Sequence, residues 1–393
     1  MLGMFGFRRV VFRCTAFFCS VLGAGVGCSG TETPGSCDAL DLLVLSSDGS
    51  ASALVRVKGG KVTGTASGAD LGRDPILAET GAGLCFVARD TDTLFSVDAS
   101  CGAFRGKTEL APWIQKTNPG LGSVNFQDVA TTGDGRTWLP AYNVPKLWIR
   151  SPETTSLTSI DLSGYDTDGN PEATSVLKYI VNGAERVGLL LNRLQRESAT
   201  RVRAPVPALF LVIDPGAEKV VETHALKSRN PFWQKAIVGN YVYVPSAGEV
   251  DRIDEPDAGL ERIDLETGEG TLLYDEGALG GSPISVDVAG SCAALVVMDA
   301  SVKNATSLAM VRTDRREVLL SAANSTIRTD GFFFSRVRFS KDGRTLWVGN
   351  KEKHASGYAV ETFGVDPDTC AIAKRAPIWV SMPPIDVHEA RPQ

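Results

Sequence analysis

Two short hairpin patterns recur along most of this chain, and they constrain its fold more than any other feature of the sequence. The first is a strand ending in Asp, a turn rich in Gly, Pro, Thr or Ser, and a returning strand; it occurs at Phe95–Phe104, Phe210–Val221, Glu261–Leu273 and Phe363–Ala373. The second is a strand, an Asp-Gly-Arg turn and an aromatic strand; it occurs at Val129–Tyr142 and Val337–Asn350. Apolar strands bounded by such turn residues predict β-hairpins, and Asp-Gly supplies the positive φ angle of a tight turn.

Placed in order, the two hairpins make a four-stranded meander of about 45 residues, the size of one blade of a β-propeller. Copies begin near Leu40, Pro75, Phe126, Ala173, Pro231, Pro283 and Ser335. The sequence therefore predicts an all-β, seven-bladed β-propeller, in which radial packing leaves only short sheet edges. The fourth and sixth copies are irregular, so six or eight blades stay open as alternatives. Propellers usually close by pairing strands from the two termini, and we expect Asp41–Asp48 to serve this closure.

Over residues 38–384 these hairpins resemble those of secreted bacterial β-propellers of the YVTN/YncE-like and WD40-like type. The patterns V-x-x-x-x-D-G-R-T-x-W-V and I-D-x-x-T-G carry the resemblance. They are specific for the architecture and say almost nothing about chemistry. The resemblance implies a propeller domain at 38–384, followed by a C-terminal tail at 385–393.

The N-terminus has the pattern of an export signal. Arg8, Arg9 and Arg13 precede a mostly apolar run that ends in small residues before Cys28, which predicts a signal peptide at 1–27. The uncharged part is about 14 residues long, shorter than the roughly 20 that a membrane-spanning helix needs. The ending G-V-G-C resembles a bacterial lipobox, although Gly25 stands where Leu is usual. The resemblance implies a lipidated Cys28 and a flexible tether at 28–37, with the outer membrane as the destination; secretion or a periplasmic location without lipid is the alternative.

The cysteines outside the signal peptide predict disulfides, because exported proteins meet an oxidising compartment. If Cys28 carries lipid, an odd number remains: Cys37, Cys85, Cys101, Cys292 and Cys370. We expect Cys85 to pair with Cys101 inside one blade and Cys37 to pair with Cys370 at the closure. Cys292 is then left over as a small buried thiol.

An acidic stretch, Ile160–Ser175, places oxygen-bearing side chains at alternate positions: Asp166, Asp168, Asn170 and Glu172. This alternation resembles the first half of a calcium-binding loop, since Ca²⁺ prefers six to eight oxygen ligands. It is not an EF-hand, because Pro171 and Leu177 stand where that motif needs Gly and Glu. We expect either a Ca²⁺ site that fixes a loop between blades or a solvated turn that satisfies its own backbone.

Catalytic motifs are scarce in the sequence. His224, His354 and His388 are far apart and lack ligand spacing, and neither a G-x-S-x-G elbow nor a C-x-x-C-H haem site occurs. Calcium-dependent propeller lactonases place acidic and amide side chains around the axis. Asp128, Asn143 and Asn192 are candidates for such a set, so a hydrolase or lactonase with its site in the central channel stays open.

Two long loops favour recognition over catalysis. A basic loop, Arg193–Phe210, and an acidic loop, Ser246–Glu261, each interrupt a blade, and long polar loops on a rigid scaffold are where binding residues concentrate. The net charge of −6 and the lack of a clustered basic stretch disfavour nucleic-acid binding. The sequence thus predicts a monomeric binding or scaffold module at the cell envelope. Its partner would be a protein or envelope ligand, and it would touch the membrane only through its lipid anchor.

Overall fold

Short antiparallel strands are the dominant element of the described chain. A computed structural model describes residues 40–80, 83–153, 157–198, 202–232, 234–249, 255–302 and 304–390. The predicted signal peptide at 1–27 and the tether at 28–37, and with them Cys28 and Cys37, lie outside the described residues.

The strands follow one another along the chain in blades of four, each blade an antiparallel sheet. Three outer strands of the closing blade come first: β1 (Leu42–Ser47), β2 (Ser52–Lys58) and β3 (Lys61–Gly68). The first blade contains β4 (Pro75–Thr80), β5 (Gly83–Ala88), β6 (Thr93–Val97) and β7 (Phe104–Glu109). The second contains β8 (Ala130–Thr131), β9 (Thr137–Pro140), β10 (Lys146–Arg150) and β11 (Leu157–Asp161).

The third and fourth blades carry the long loops. The third consists of β12 (Ala173–Val181), β13 (Ala184–Leu191), β16 (Leu209–Asp214) and β17 (Lys219–Ala225). Its basic loop holds a small hairpin, β14 (Gln195–Arg196) with β15 (Val202–Arg203). The fourth consists of β18 (Ala236–Val238), β19 (Tyr241–Ser246), β20 (Gly259–Asp264) and β21 (Gly270–Asp275).

The fifth and sixth blades each gain one short extra strand. The fifth has β22 (Gly281–Ala289), β23 (Cys292–Asp299), β24 (Thr306–Arg312) and β25 (Glu317–Leu320), with β26 (Arg328–Thr329) paired to β24. The sixth has β27 (Phe334–Phe339), β28 (Thr345–His354), β29 (Gly357–Val365) and β30 (Ile372–Lys374), with β31 (Ile378–Val380) paired to β29. The last strand, β32 (Pro384–Glu389), joins the closing blade.

Helical segments are short and lie between blades. Among the described residues, the α-helices are α1 (Ala111–Thr117) and α2 (Glu276–Leu279), and 3-10 turns occur at Ala69–Leu71, Ser163–Tyr165 and Ala322–Asn324. In the part of the chain that the structure describes, no helix is long and apolar enough to cross a membrane.

The seven-bladed prediction is confirmed, and six inner strands start at or near the expected residues; the exception is the copy expected near Leu40, where β1 is the second strand of the closing blade. The Asp-Gly-Arg turns also behave as predicted, since Gly135 has φ 81° and Gly343 has φ 69°.

Packing of the blades against one another stabilises these short strands, which would be marginal as isolated hairpins. The first blade packs on the closing blade, where Leu43 and Leu45 share a core cluster with Phe86. Within the first blade, Phe86, Phe95 and Phe104 meet edge to face at 5.5–5.8 Å. Each such side chain contributes about 1.5–3 kcal/mol when it is fully buried.

The closing blade corrects the predicted C-terminal tail. The expected role of Asp41–Asp48 is confirmed, because β1 pairs with β32 in the register Leu42 with Glu389 and Val44 with Val387. Residues 384–389 are therefore the innermost strand of a blade and not part of a tail at 385–393. The strand was hard to recognise in the sequence because polar residues alternate with apolar ones, a pattern that suggests exposure. In the structure these polar side chains are buried, and His388 is 2% exposed.

The disulfides also differ from the prediction. Cys292 at the start of β23 pairs with Cys370 in the turn before β30, with Cα atoms 5.5 Å apart, so the bond joins the fifth blade to the sixth. The expected Cys37–Cys370 bond is therefore wrong. Cys85–Cys101 is also wrong, because Cys85 is a free thiol. Cys101 is disulfide-bonded, but to none of the other described cysteines.

Candidate functional site

The connections between strands divide the propeller into two ends with different characters. The inner strand of every blade runs in the same direction, so one end, here the lower end, holds the turns after the inner strands, such as 182–183 and 290–291. The other end, the upper end, holds the basic loop, the acidic loop and the segments that lead into each blade, such as 110–129 and 162–172. The upper end is therefore the more elaborate surface.

An axial channel lies between the inner strands and contains two cavities. The lower cavity measures about 380 Å³ and the upper about 250 Å³, and Ile76 lines both. Charged side chains from the inner strands, or from residues just before them, line the channel: Glu79, Asp128, Lys235, Asp287, Arg336, Arg338, Asp386 and His388.

Most of these charges pair with one another across blades. Asp128, just before β8 in the second blade, forms a salt bridge with Lys235, which precedes the fourth blade. The same carboxylate accepts hydrogen bonds from Ser175 Oγ at 2.8 Å and from Val176 N at 2.9 Å, both in the third blade. One carboxylate thus ties three blades together.

A second network joins the sixth, closing and first blades. Arg336 Nη1 lies 2.5 Å from Asp386 Oδ2, and Arg338 pairs with Glu79. His388 lies between the two carboxylates, with Nε2 3.2 Å from Asp386 and Nδ1 3.4 Å from Glu79. Burial lowers the pKa of His388, and this effect is larger than the rise caused by the nearby charge of Asp386. Burial acts to raise the pKa of Asp386, but Arg336 and His388 outweigh it and the pKa ends below its usual value.

Asp287 is a buried axial carboxylate whose nearest cationic atom, Arg338 Nε, is 4.0 Å away, so its negative charge is poorly balanced. Burial raises its pKa to about 6, against the lowering effect of hydrogen bonds from the Phe339 and Val288 amides and of the charge on Arg336. Its Oδ2 accepts from Phe339 N at 2.7 Å and lies 4.0 Å from Arg338 Nε. The channel is therefore a network of ion pairs that holds blades together.

The candidate lactonase residues do not converge on this channel. Asp128 faces it, but the Asn143 amide is exposed and donates to Ser123 O at 3.0 Å. Asn192 is buried elsewhere, with Nδ2 3.2 Å from Asn230 Oδ1. Across the described ranges, no group of three or more His, Cys, Asp or Glu side chains is placed to hold a metal ion.

The acidic stretch forms a turn at the upper end, between the second and third blades. Asp168 Oδ1 accepts from Asn170 N at 2.9 Å, and Asp166 Oδ1 accepts from Thr167 N at 2.7 Å. Gly169 has φ 85°, which lets the chain turn back on itself. These bonds are those expected of a turn that satisfies its own backbone.

Other oxygens of the same stretch lack partners. The side chain of Asp166 is 1% exposed, and its Oδ2, like the buried Oδ1 of Asn170, makes no hydrogen bond. Glu172 accepts from Leu194 N at 2.8 Å, yet burial, with the nearby charges of Asp168 and Asp166, raises its pKa to about 8. A cation bound here would satisfy these oxygens. The side chains alone would not complete its coordination, and backbone or water oxygens would have to supply the rest.

The basic and acidic loops meet at the upper end. Arg229 joins them: its Nη1 donates to Ala204 O at 2.8 Å in the basic loop, and its Nη2 lies 2.9 Å from Glu255 and 2.6 Å from Asp257 in the acidic loop. Two loops of opposite charge thus form one continuous surface. The sequence indicated both loops but not this contact.

Sequence reasoning also missed most of the axial network. The signal was present, because charged residues alternate with apolar ones in the first strand of several copies, as with Arg336 and Arg338 in β27 or Asp386 and His388 in β32. A strand packed on both sides usually excludes charges, so charges at alternate positions there indicate a shared axis with ion pairs.

Comparisons with known proteins confirm the architecture. The chain resembles a Bacteroides uniformis protein provisionally named a 6-phosphogluconolactonase, with 13% identity, a TM-score of 0.56, and coverage of 90% of this chain and 99% of that one. It resembles the WD40 repeats of RRP9 with 9% identity, a TM-score of 0.51 and 86% of each chain covered. The dihydro-heme d1 dehydrogenase NirN, in complex with DHE, gives 13% identity, a TM-score of 0.50, and coverage of 92% of this chain and 77% of that one.

At these identities the likeness concerns the fold alone. No protein-family model matches the chain, and no curated protein matches it in sequence.

Proposed function

We propose that this chain is an exported β-propeller, anchored by lipid on Cys28, that acts as a binding or scaffold module at the cell envelope. One observation carries the proposal. The long loops gather at the upper end, where Arg229 joins the basic and acidic loops, whereas the axial charges largely neutralise one another. A rigid scaffold with one elaborated end suits recognition.

Export and anchoring have support from two directions. The N-terminal sequence resembles a lipoprotein signal, and the Cys292–Cys370 disulfide suits an oxidising compartment. Labelling of cells with radioactive palmitate, followed by fractionation, tests the anchor. We expect wild type and a Cys85→Ser control to be labelled and membrane-bound, and Cys28→Ser to be unlabelled and soluble. A wild-type chain that is soluble and unlabelled after export would contradict the anchor.

We also propose that Ca²⁺ binds the acidic stretch and rigidifies the upper end. Two observations support this proposal. Asp166 and Asn170 each have a buried oxygen without a hydrogen-bond partner, and the pKa of Glu172 is raised to about 8, mainly by burial. Asp168 belongs to the same stretch and would have to move toward the other oxygens, because no three of these carboxylates already lie together as a metal site in the described residues. A bound ion here would stabilise the folded state by mass action and would not take part in chemistry.

The binding role is tested with envelope extract and the immobilised mature chain. We expect wild type to retain specific envelope proteins and Arg196→Glu, which reverses a charge in the basic loop, to retain much less. Lys219→Glu is the matched control, because it makes the same charge change on an exposed residue at the lower end. Equal retention by all three chains would show that the basic loop is not the recognition surface.

The alternative, a calcium-dependent hydrolase or lactonase in the channel, has weaker support. Asp128 and Asp386 already have cationic partners, and Asn143 and Asn192 lie away from the axis. Such an enzyme would need carboxylates that are free to bind an ion or a water molecule.

A further inference from the structure

The upper cavity is a second recognition feature at the mouth of the axial channel. It measures about 250 Å³ and is open to solvent at the loop end. Its walls are mainly apolar, with three aromatic rings, Phe232, Phe332 and Phe334, and aliphatic side chains from inner strands. Phe332 is 49% exposed, so the lining presents an apolar ring that a ligand could contact. Asp386, whose carboxylate pairs with Arg336, also lines this cavity.

One uncompensated positive charge faces this cavity. Lys351 in β28 is half-buried among the lining residues, and its backbone N donates to Phe333 O at 2.8 Å. Burial lowers the pKa of its ammonium group. No carboxylate pairs with it within the described ranges, whereas the other lining charges are paired, Arg89 with Asp74 and Asp386 with Arg336. A half-buried cation without a partner is costly, and an anionic ligand would remove that cost.

A hydrogen-bond acceptor in the same lining also lacks a partner. Gln234 is 4% exposed, and its Oε1 is buried without any hydrogen bond. Buried amide oxygens are almost always bonded, so an unpartnered one at a cavity indicates a missing donor. A ligand with an N–H or O–H group would supply it.

From this geometry we infer that the upper cavity binds a small aromatic carboxylate that carries a hydrogen-bond donor. The ring would pack among Phe232, Phe332 and Phe334, the carboxylate would pair with Lys351, and the donor would bond to Gln234 Oε1. A single ammonium group suits a monoanion better than a phosphate, which is usually held by several cationic or N–H groups. The volume is below the roughly 300–1,000 Å³ of drug-sized sites, which also favours a small ligand.

This inference deepens the proposed binding function, on which it rests for the view that the upper end is the recognition end. Its test uses purified chain and a small molecule alone. The test of protein partners depends on the basic loop, so the two can fail separately.

The probe is hippurate, which has a phenyl ring, an amide N–H and a carboxylate. Isothermal titration of the mature wild-type chain should give saturable one-site binding. Lys351→Met should weaken it about tenfold or more, because a charge-assisted hydrogen bond is lost. Lys219→Met, at the lower end, is the matched control and should bind as wild type does. Hippurate methyl ester, which lacks the charge, should bind wild type and Lys351→Met equally weakly.

A second variant distinguishes loss of binding from loss of folding. Phe332→Ser changes an exposed ring and should keep the melting temperature while weakening hippurate severalfold. No binding by wild type, or equal binding by wild type and Lys351→Met, would overturn the inference. Tighter binding of phenyl phosphate than of hippurate would overturn the choice of a carboxylate.

Discussion

Two buried carboxylates of the axial channel should respond in opposite directions to the same chemical change. Asp287→Asn and Asp386→Asn each replace a carboxylate by its neutral isostere in an inner strand. Burial dominates at Asp287 and raises its pKa to about 6, whereas Arg336 and His388 hold the pKa of Asp386 below its usual value despite burial. Ionised Asp287 therefore destabilises the fold, and ionised Asp386 stabilises it.

The pKa of Asp287 sets the size of its effect. The folded chain binds the proton more tightly than the unfolded chain, whose pKa is 3.8, so the free energy of unfolding falls as pH rises from about 4 to about 6. At about 1.36 kcal/mol per pKa unit, the cost is about 1 kcal/mol at pH 4.5 and about 3 kcal/mol at pH 8. Asn retains an acceptor for Phe339 N and has no charge to bury. Asp287→Asn should therefore stabilise the chain by up to about 3 kcal/mol at pH 8.

Asp386→Asn should do the reverse. Its lowered pKa gives stability that is present above pH 3.8 and is lost only as pH falls through the folded-state value. Removing one partner of a buried pair leaves Arg336 uncompensated, which costs about 3–5 kcal/mol at pH 8.

Equilibrium unfolding in guanidinium chloride at pH 4.5 and pH 8 measures both effects. The expected result is a gain for Asp287→Asn that grows with pH and a loss for Asp386→Asn at pH 8. Equal destabilisation by both variants at pH 8 would refute the view that burial dominates at one site and ion pairing at the other.

Three further predictions concern the metal and the disulfides. Millimolar Ca²⁺ should raise the melting temperature of the mature chain above its value in EDTA, and Asp166→Ala with Asp168→Ala should abolish the rise; a rise that survives both changes would place the ion elsewhere. Cys292→Ala should lower the free energy of unfolding by about 2–4 kcal/mol in chemical denaturation, and no loss would mean that this bond does not constrain the unfolded chain. Non-reduced peptide mapping should find Cys292 joined to Cys370 and Cys85 as a free thiol; a peptide that joins Cys85 to another cysteine would contradict this arrangement.

The sequence predicted the blades because each blade is local. Strand alternation and the turn glycines, such as Gly135 at φ 81°, depend on neighbours within one repeat, and the blade starts were therefore recoverable. The closing strand β32 escaped notice because Asp386 and His388 make it look like a solvated tail, although both are buried.

Contacts between blades were harder to predict. The repeat showed that Cys101 and Cys370 occupy equivalent turns, but not that such a turn lies against the neighbouring blade, where Cys292 is found. The axial pairs, such as Asp128 with Lys235, join residues of different repeats that share no sequence pattern. The calcium site stays a prediction, since oxygens without hydrogen-bond partners favour a bound cation but do not identify which one.

The central claim is that recognition occurs at the upper end and that the axial charges are structural. Retention of envelope proteins by immobilised wild type, Arg196→Glu and Asp287→Asn, measured side by side, tests it most directly. The account predicts that the same proteins bind wild type and Asp287→Asn equally and bind Arg196→Glu much less. Loss of retention in Asp287→Asn with full retention by Arg196→Glu would contradict it and would indicate that the channel is the binding site.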